Sequence, residues 1–100
     1  SGGVWTNASS REYKQDIKSL TKDDAVETLT ALQPVQFRYK TDPKEKHVGF
    51  IAEDVPDLVA STDRKGMSAM DVVAVLTKVV QDQQKTIAEL SRKVAALEQK

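Results

Sequence analysis

From Asp71 to Gln99 the chain contains neither proline nor glycine, and its apolar residues return every three or four positions. With Val73, Val80, Ile87 and Val94 at heptad position a, position d holds Leu76, Gln83, Leu90 and Leu97. Every core position except Gln83 is therefore apolar. A 3.5-residue period sustained over successive heptads is the pattern of a coiled coil. The helix would run about 43 Å at ~1.5 Å per residue, and a small chain has too little remaining mass to cover a stripe that long by itself. The f positions Lys78, Lys85, Arg92 and Gln99 form a solvated face, while Lys93 at g and Glu98 at the following e are placed for an interchain ion pair in a parallel coil. β-branched residues at a with Leu at d favour two strands. Gln83 as a polar layer, with Val72, Val75 and Val79 widening the stripe, calls for more neighbours: further helices, or the rest of the chain folded back. A parallel oligomer follows, with two or three strands left open.

The remaining residues predict a small mixed body. Thr21-Lys22-Asp23-Asp24 is a helix start, with Thr21 as N-cap and acids in the first turn. Ala25, Val26, Leu29 and Leu32 follow at helical spacing until Pro34 stops the helix. Val35-Gln36-Phe37-Arg38-Tyr39 alternates like a strand, Thr41-Asp42-Pro43-Lys44 carries turn chemistry, and His47 to Ile51 is its hairpin partner. Glu53 to Ala60 predicts a turn and a short helix. Ser61 to Gly66 is a charged loop in which Gly66 can take positive φ. Ser68-Ala69-Met70-Asp71 is a capping-box variant that opens the long helix. The fold class is α+β: residues 9–70 as body, 71–100 as coiled-coil helix, and 1–8 as a linker or the end of an upstream segment.

Composition excludes more than it identifies. Fifteen basic residues balance fifteen acidic ones, so no charge excess favours nucleic acid or an anionic membrane. Trp5, Tyr13, Phe37, Tyr39 and Phe50 are too few to make a base-stacking platform. With no cysteine and His47 as the one histidine, disulfides and thiolate metal sites are excluded and a histidine-based metal site is disfavoured. No metal or other cofactor is expected, and no apolar run is long enough to span a membrane.

One pair of residues carries candidate chemistry. Ser9 and Lys14 could act as nucleophile and general base, provided the lysine is neutral. Five residues along an α-helix turn the side chain through about 500°, leaving the pair about 140° apart. On a strand an odd separation puts them on opposite faces. The pair therefore needs a bend, or two different chains. A lysine ordinarily holds its proton to about pH 10.4, so burial or a nearby cation such as Arg11 must favour the neutral form. His47 is expected at a strand edge, Gly49 at a close backbone approach, and Glu53 and Asp54 as structural acceptors. Arg64 and Lys65 are expected to be solvated in their loop, and Trp5 to act as a packing anchor.

The run Gly3-Val4-Trp5-Thr6-Asn7-Ala8-Ser9, continuing through Lys14 to Ile17, resembles the start of the intramolecular chaperone auto-processing domain. That domain closes phage endosialidases, tailspikes and neck-appendage proteins, and occurs in a myelin-gene transcription factor. Leu32-x-Pro34-Val35-x-Phe37-x-Tyr39 and His47-Val48-Gly49-Phe50-Ile51-Ala52-Glu53-Asp54-Val55-Pro56 are similar to its middle, and the coiled coil with Gln81-x-Gln83-Gln84 to its end. The resemblance implies a C-terminal homotrimer that templates an upstream β-stalk of the same polypeptide and then releases itself by cutting at a serine. It implies Ser9 as nucleophile, Lys14 as base and a supporting role for His47, with the bacterial host cytoplasm during fibre assembly as the setting. Ser10 stands where many relatives carry Asp. The alternative is a non-cleaving trimerisation module that caps a fibre or adhesin.

Overall fold

The computed structural model describes residues 9–100. The expectations for residues 1–8, Trp5 as anchor among them, lie outside the described residues. A 3-10 turn, Arg11–Tyr13, comes first. Helix α1 (Lys22–Ala31), strands β1 (Val35–Tyr39) and β2 (Asp42–Gly49), 3-10 turns Ala52–Asp54 and Asp57–Val59, and helix α2 (Ala69–Glu98) follow. The fold is α+β.

Helix α1 starts as its cap predicts: Thr21 Oγ1 accepts the Asp24 amide at 3.2 Å. Leu32 turns extended and ends the helix two residues before Pro34. The buried face differs from the apolar spacing, because Ala25 and Thr28 point inward while Val26 stays 39% exposed.

Strands β1 and β2 pair antiparallel, with Val35 opposite Gly49, Gln36 opposite Val48 and Phe37 opposite His47. An irregularity follows, and Tyr39 then pairs with Asp42. The reversal is thus Lys40-Thr41, earlier than the Asp-Pro dipeptide suggests, and Pro43 sits inside β2. Both strands of a two-stranded sheet are edges, so proline's missing donor is tolerated there. Strand β2 also stops at Gly49 rather than Ile51. Phe50 leaves the sheet to pack on the core, since a lone hairpin has no second layer in which to bury it.

The core is small: Ala25 of α1, Val55 and Val59 around the second and third 3-10 turns, and Val72, Val75 and Val79 of α2 are buried. Leu20, Leu29, Leu32, Phe50, Ala60 and Met67 pack around them. The body has therefore folded back on α2, one of the two neighbours the widened stripe allowed. The approach to α2 is held by a turn in which Ser61 Oγ donates to Asp63 Oδ1 at 2.8 Å and accepts the Gly66 amide. The residue with positive φ is Arg64 (55°), not Gly66. Arg64 is also not simply solvated: its guanidinium donates to Asp57 Oδ1 at 2.6 Å and to the Val55 carbonyl.

Helix α2 is capped by Ser68, whose Oγ accepts the Met70 amide at 3.2 Å. Its 30 residues run about 45 Å, well beyond the body. The radius of gyration, 18.5 Å, exceeds the roughly 13 Å of a compact chain this size, so the second half of α2 stands free of its own chain. No described helix is long and apolar enough to cross a membrane.

Candidate active site

Ser9 and Lys14 flank the first 3-10 turn. Ser10 caps it in extended conformation, its Oγ accepting the Glu12 amide at 3.2 Å. The Tyr13 amide donates to the Ser10 carbonyl and the Lys14 amide to the Arg11 carbonyl, both at 3.1 Å. Lys14 then resumes extended geometry. One tight turn between two extended residues doubles the chain back, and Lys14 Nζ lies 3.5 Å from Ser9 Oγ, the lysine donating. The bend that neither a helix nor a strand could supply is thus a single 3-10 turn. A separation of 3.5 Å is longer than the 2.6–3.2 Å of a working nucleophile–base bond, and such contacts are often loose before substrate engages.

The sequence marked Ser10 only as a departure from Asp. In the structure it is the turn's N-cap, a role Ser and Asp fill about equally well. Asp16, at φ 54°, redirects the chain after Lys14, and Asp is among the residues that tolerate this region. Residues 9–19 are all exposed, and Leu20 is the first to pack on the core. Ala8, the residue before Ser9, lies outside the described residues.

His47 is half-buried on β2. Its ring stacks on Phe37, with centroids 5.6 Å apart, and meets Tyr39 edge-on at 5.0 Å. No hydrogen bond joins it to Ser9 or Lys14. The close approach at Gly49 is made by a ring, because a Cβ there would lie 3.2 Å from Phe37 Cε1. Glu53 and Asp54 are exposed. Among the described residues no group of three or more acidic or histidine side chains could hold a metal.

The family model described as chaperone of endosialidase matches residues 9–64. The chain belongs to this family. The match begins at Ser9 itself and ends at Arg64, so it takes in the Ser9–Lys14 turn, α1, the hairpin and the Arg64 latch, and the family's name is that of a peptidase group. Neither a curated protein nor a solved structure matches the chain.

Beyond the residues matched to the endosialidase-chaperone family, α2 presents an exposed apolar surface. The seam predicted for α2 is solvent-exposed in the single chain: Val73 47%, Val80 49%, Ile87 56%, Leu90 54% and Leu97 65%. The body occupies a different flank, through Val72, Val75 and Val79 at g and c. Lys78, expected on the solvated f face, is partly covered and pairs with Asp82 at 3.7 Å.

Proposed function

We propose that this chaperone domain trimerises through α2, templates the winding of an upstream β-stalk of the same polypeptide, and then releases itself by cutting at Ser9. The observation that carries the reading is the turn that sets Lys14 Nζ 3.5 Å from Ser9 Oγ at the first residue of the family match. The exposed apolar seam supports assembly, because the body covers a different flank of α2 and heptad spacing suits packing against further helices. A common parallel register would bring three stalk segments together at one end, which lowers the entropic barrier to their non-local pairing.

In the cleavage step Ser9 Oγ attacks the carbonyl carbon of Ala8 while its proton passes to neutral Lys14 Nζ. The carbon–nitrogen bond breaks, the Ser9 amine takes that proton, and the resulting ester is hydrolysed by water. No cofactor enters the step. Lys14 has to take that proton in its neutral form, which desolvation favours. Burial against the stalk or a neighbouring chain would supply the change, so cutting waits for assembly. The setting is the bacterial host cytoplasm during fibre assembly, with the released domain absent from the mature particle. In the single chain His47 contacts Phe37 and Tyr39 rather than the pair, so its supporting role belongs to the assembled state.

The exposure of both Ser9 and Lys14 favours a second reading, a trimerisation cap that never cuts. The natural upstream region joined to this domain, followed by intact mass over time, separates the two. The expected result is a fragment beginning at Ser9 that is missing in Ser9→Ala and Lys14→Ala. A wild-type chain that trimerises and stays whole would leave the cap as the function.

A further inference from the structure

The flank of α2 opposite the body is devoid of charge over a long exposed stretch. Heptad positions b and e from Ala74 to Ser91 are Ala74, Thr77, Gln81, Gln84, Ala88 and Ser91, all exposed, and the first charge on this flank is Glu98. Every charge in the same stretch, Lys78, Asp82, Lys85 and Glu89, falls on f or c. Thr77 even satisfies its hydroxyl within the helix, donating to the Val73 carbonyl at 2.8 Å. In a chain that is 30% charged, a solvent-facing flank would be expected to carry some of that charge.

The opposite flank has the complementary feature. Between α1 and α2 runs an open groove walled by Val26, Leu29 and Thr30 on one side and Val79, Thr86 and Ile87 on the other, with Lys22 at its α1 wall. Ile87 is also an a residue, so the groove is continuous with the seam. Val26 belongs to the apolar spacing of α1 but is left outside the core. Asp82, which also lines the groove, has a buried Oδ2 with no hydrogen-bond partner among the described residues.

We propose that the groove between α1 and α2 receives the uncharged b/e flank of α2 from a second copy of this chain. In any parallel coil the g flank of one helix faces the e flank of the next. The body sits on the g and c flank of its own helix, which places α1 beside the neighbour's b/e residues. Each body thus clasps the adjacent helix, and in a closed ring every copy both clasps and is clasped. The inference rests on the parallel assembly proposed above and adds to it that α1, and not the coil alone, makes the interchain contact. Neutral small and amide side chains suit a groove of this lining, because an unpaired charge buried there would be costly.

The test uses the chain's lack of cysteine. Full-length Val26→Cys, carrying a mass tag, is co-refolded and oxidised with untagged Ala88→Cys, Gln84→Cys or, as control, Lys85→Cys at f. Cysteines whose Cα atoms are more than about 7 Å apart do not bridge. The expected result is tagged–untagged disulfide with Ala88→Cys or Gln84→Cys, and background alone with Lys85→Cys. Ala88→Trp, too bulky for a filled groove but harmless at an open b position, is read by light scattering and should dissociate at a concentration at least about tenfold higher than wild type, with Lys85→Ala unchanged. An oligomer whose Val26 bridges no better to the b/e flank than to f, or that tolerates Ala88→Trp, overturns the clasp and leaves the assembly standing. A wild-type chain monomeric at every concentration overturns both.

Discussion

Two valines five residues apart on α2 should fail in different ways when shortened. Val75 is 2% exposed in the body core, whereas Val80 is 49% exposed on the seam. Val75→Ala removes two carbons, about 1.6 kcal/mol at ~0.8 kcal/mol each, and the cavity left behind brings the loss to about 2–3 kcal/mol. At about 4–8 °C per kcal/mol for a domain of this size, the melting temperature should fall by roughly 10–20 °C at every protein concentration. Val80→Ala removes a side chain that its own chain only half covers, so the folded body loses under about 1 kcal/mol. In a trimer a similar loss recurs in each copy, about 3 kcal/mol together, or about two orders of magnitude in the association constant. Circular-dichroism melts across a wide dilution series, paired with light scattering, separate the two. Val80→Ala should steepen the concentration dependence while Val75→Ala shifts the whole series. If Val80→Ala costs as much as Val75→Ala in the most dilute sample, Val80 belongs to the body core and the division of α2 into two faces is wrong.

Other substitutions check the local devices. Ser10→Ala removes a cap worth about 1 kcal/mol and should slow release about fivefold in the intact-mass time course, while Ser10→Asp keeps the wild-type rate; equal slowing by both would show that the cap does not position the pair. Arg64→Ala deprives the buried Val55 residue's carbonyl of a charged donor, about 1.5–3 kcal/mol in a urea titration. Asp57→Asn, acting at the 99% exposed partner, should cost under about 1 kcal/mol. Asp63 is held below the usual aspartate value, 3.8, chiefly by the Lys65 amide and then by the Ser61 hydroxyl. A folded pKa below the unfolded one gives stability that is complete above the unfolded value and lost as pH falls through the folded one. Amide signals of Lys65 and Gly66 should therefore move in the acid range of an NMR titration, and Asp63→Asn should abolish that movement.

The parts of the fold set by local chemistry were legible in the sequence. Thr21 and Ser68 cap the helices they precede, Pro34 follows the end of α1, and the heptads mark the helix that forms. The parts decided by packing were less so. Nothing in the order Ala25, Val26, Leu29, Leu32 says that Val26 faces out and Thr28 in, because that depends on which side of α1 meets Val72, Val75 and Val79. The hairpin reversal moved off the Asp-Pro pair because a two-stranded sheet tolerates proline inside a strand. Arg64 takes the left-handed backbone in place of Gly66 because its side chain has two acceptors to reach, and a loop's composition does not reveal its long-range acceptors. At the site, the spacing of Ser9 and Lys14 showed that a bend was required without showing which; its cap, Ser10, was visible only as a departure from Asp. The hydroxyl two residues before an amide it can accept was the available signal.

The placement of that turn bears on when it can act. The chain first packs against its own core at Leu20, beyond both members of the pair, and everything from Ser9 to Ser19 faces solvent. The local turn therefore sets the spacing of the pair and leaves the surroundings of Lys14 to whatever lies against it. A lysine becomes a base at neutral pH through desolvation or a neighbouring cation, and Arg11, one turn away and equally exposed, is screened by water. Burial must then come from a surface outside residues 9–100 of the same copy. The wound stalk and the neighbouring chain are the surfaces that assembly brings up. On the proposed cleavage, a Ser9–Lys14 pair built into the core would cut before assembly, and an exposed pair would tie release to completed folding.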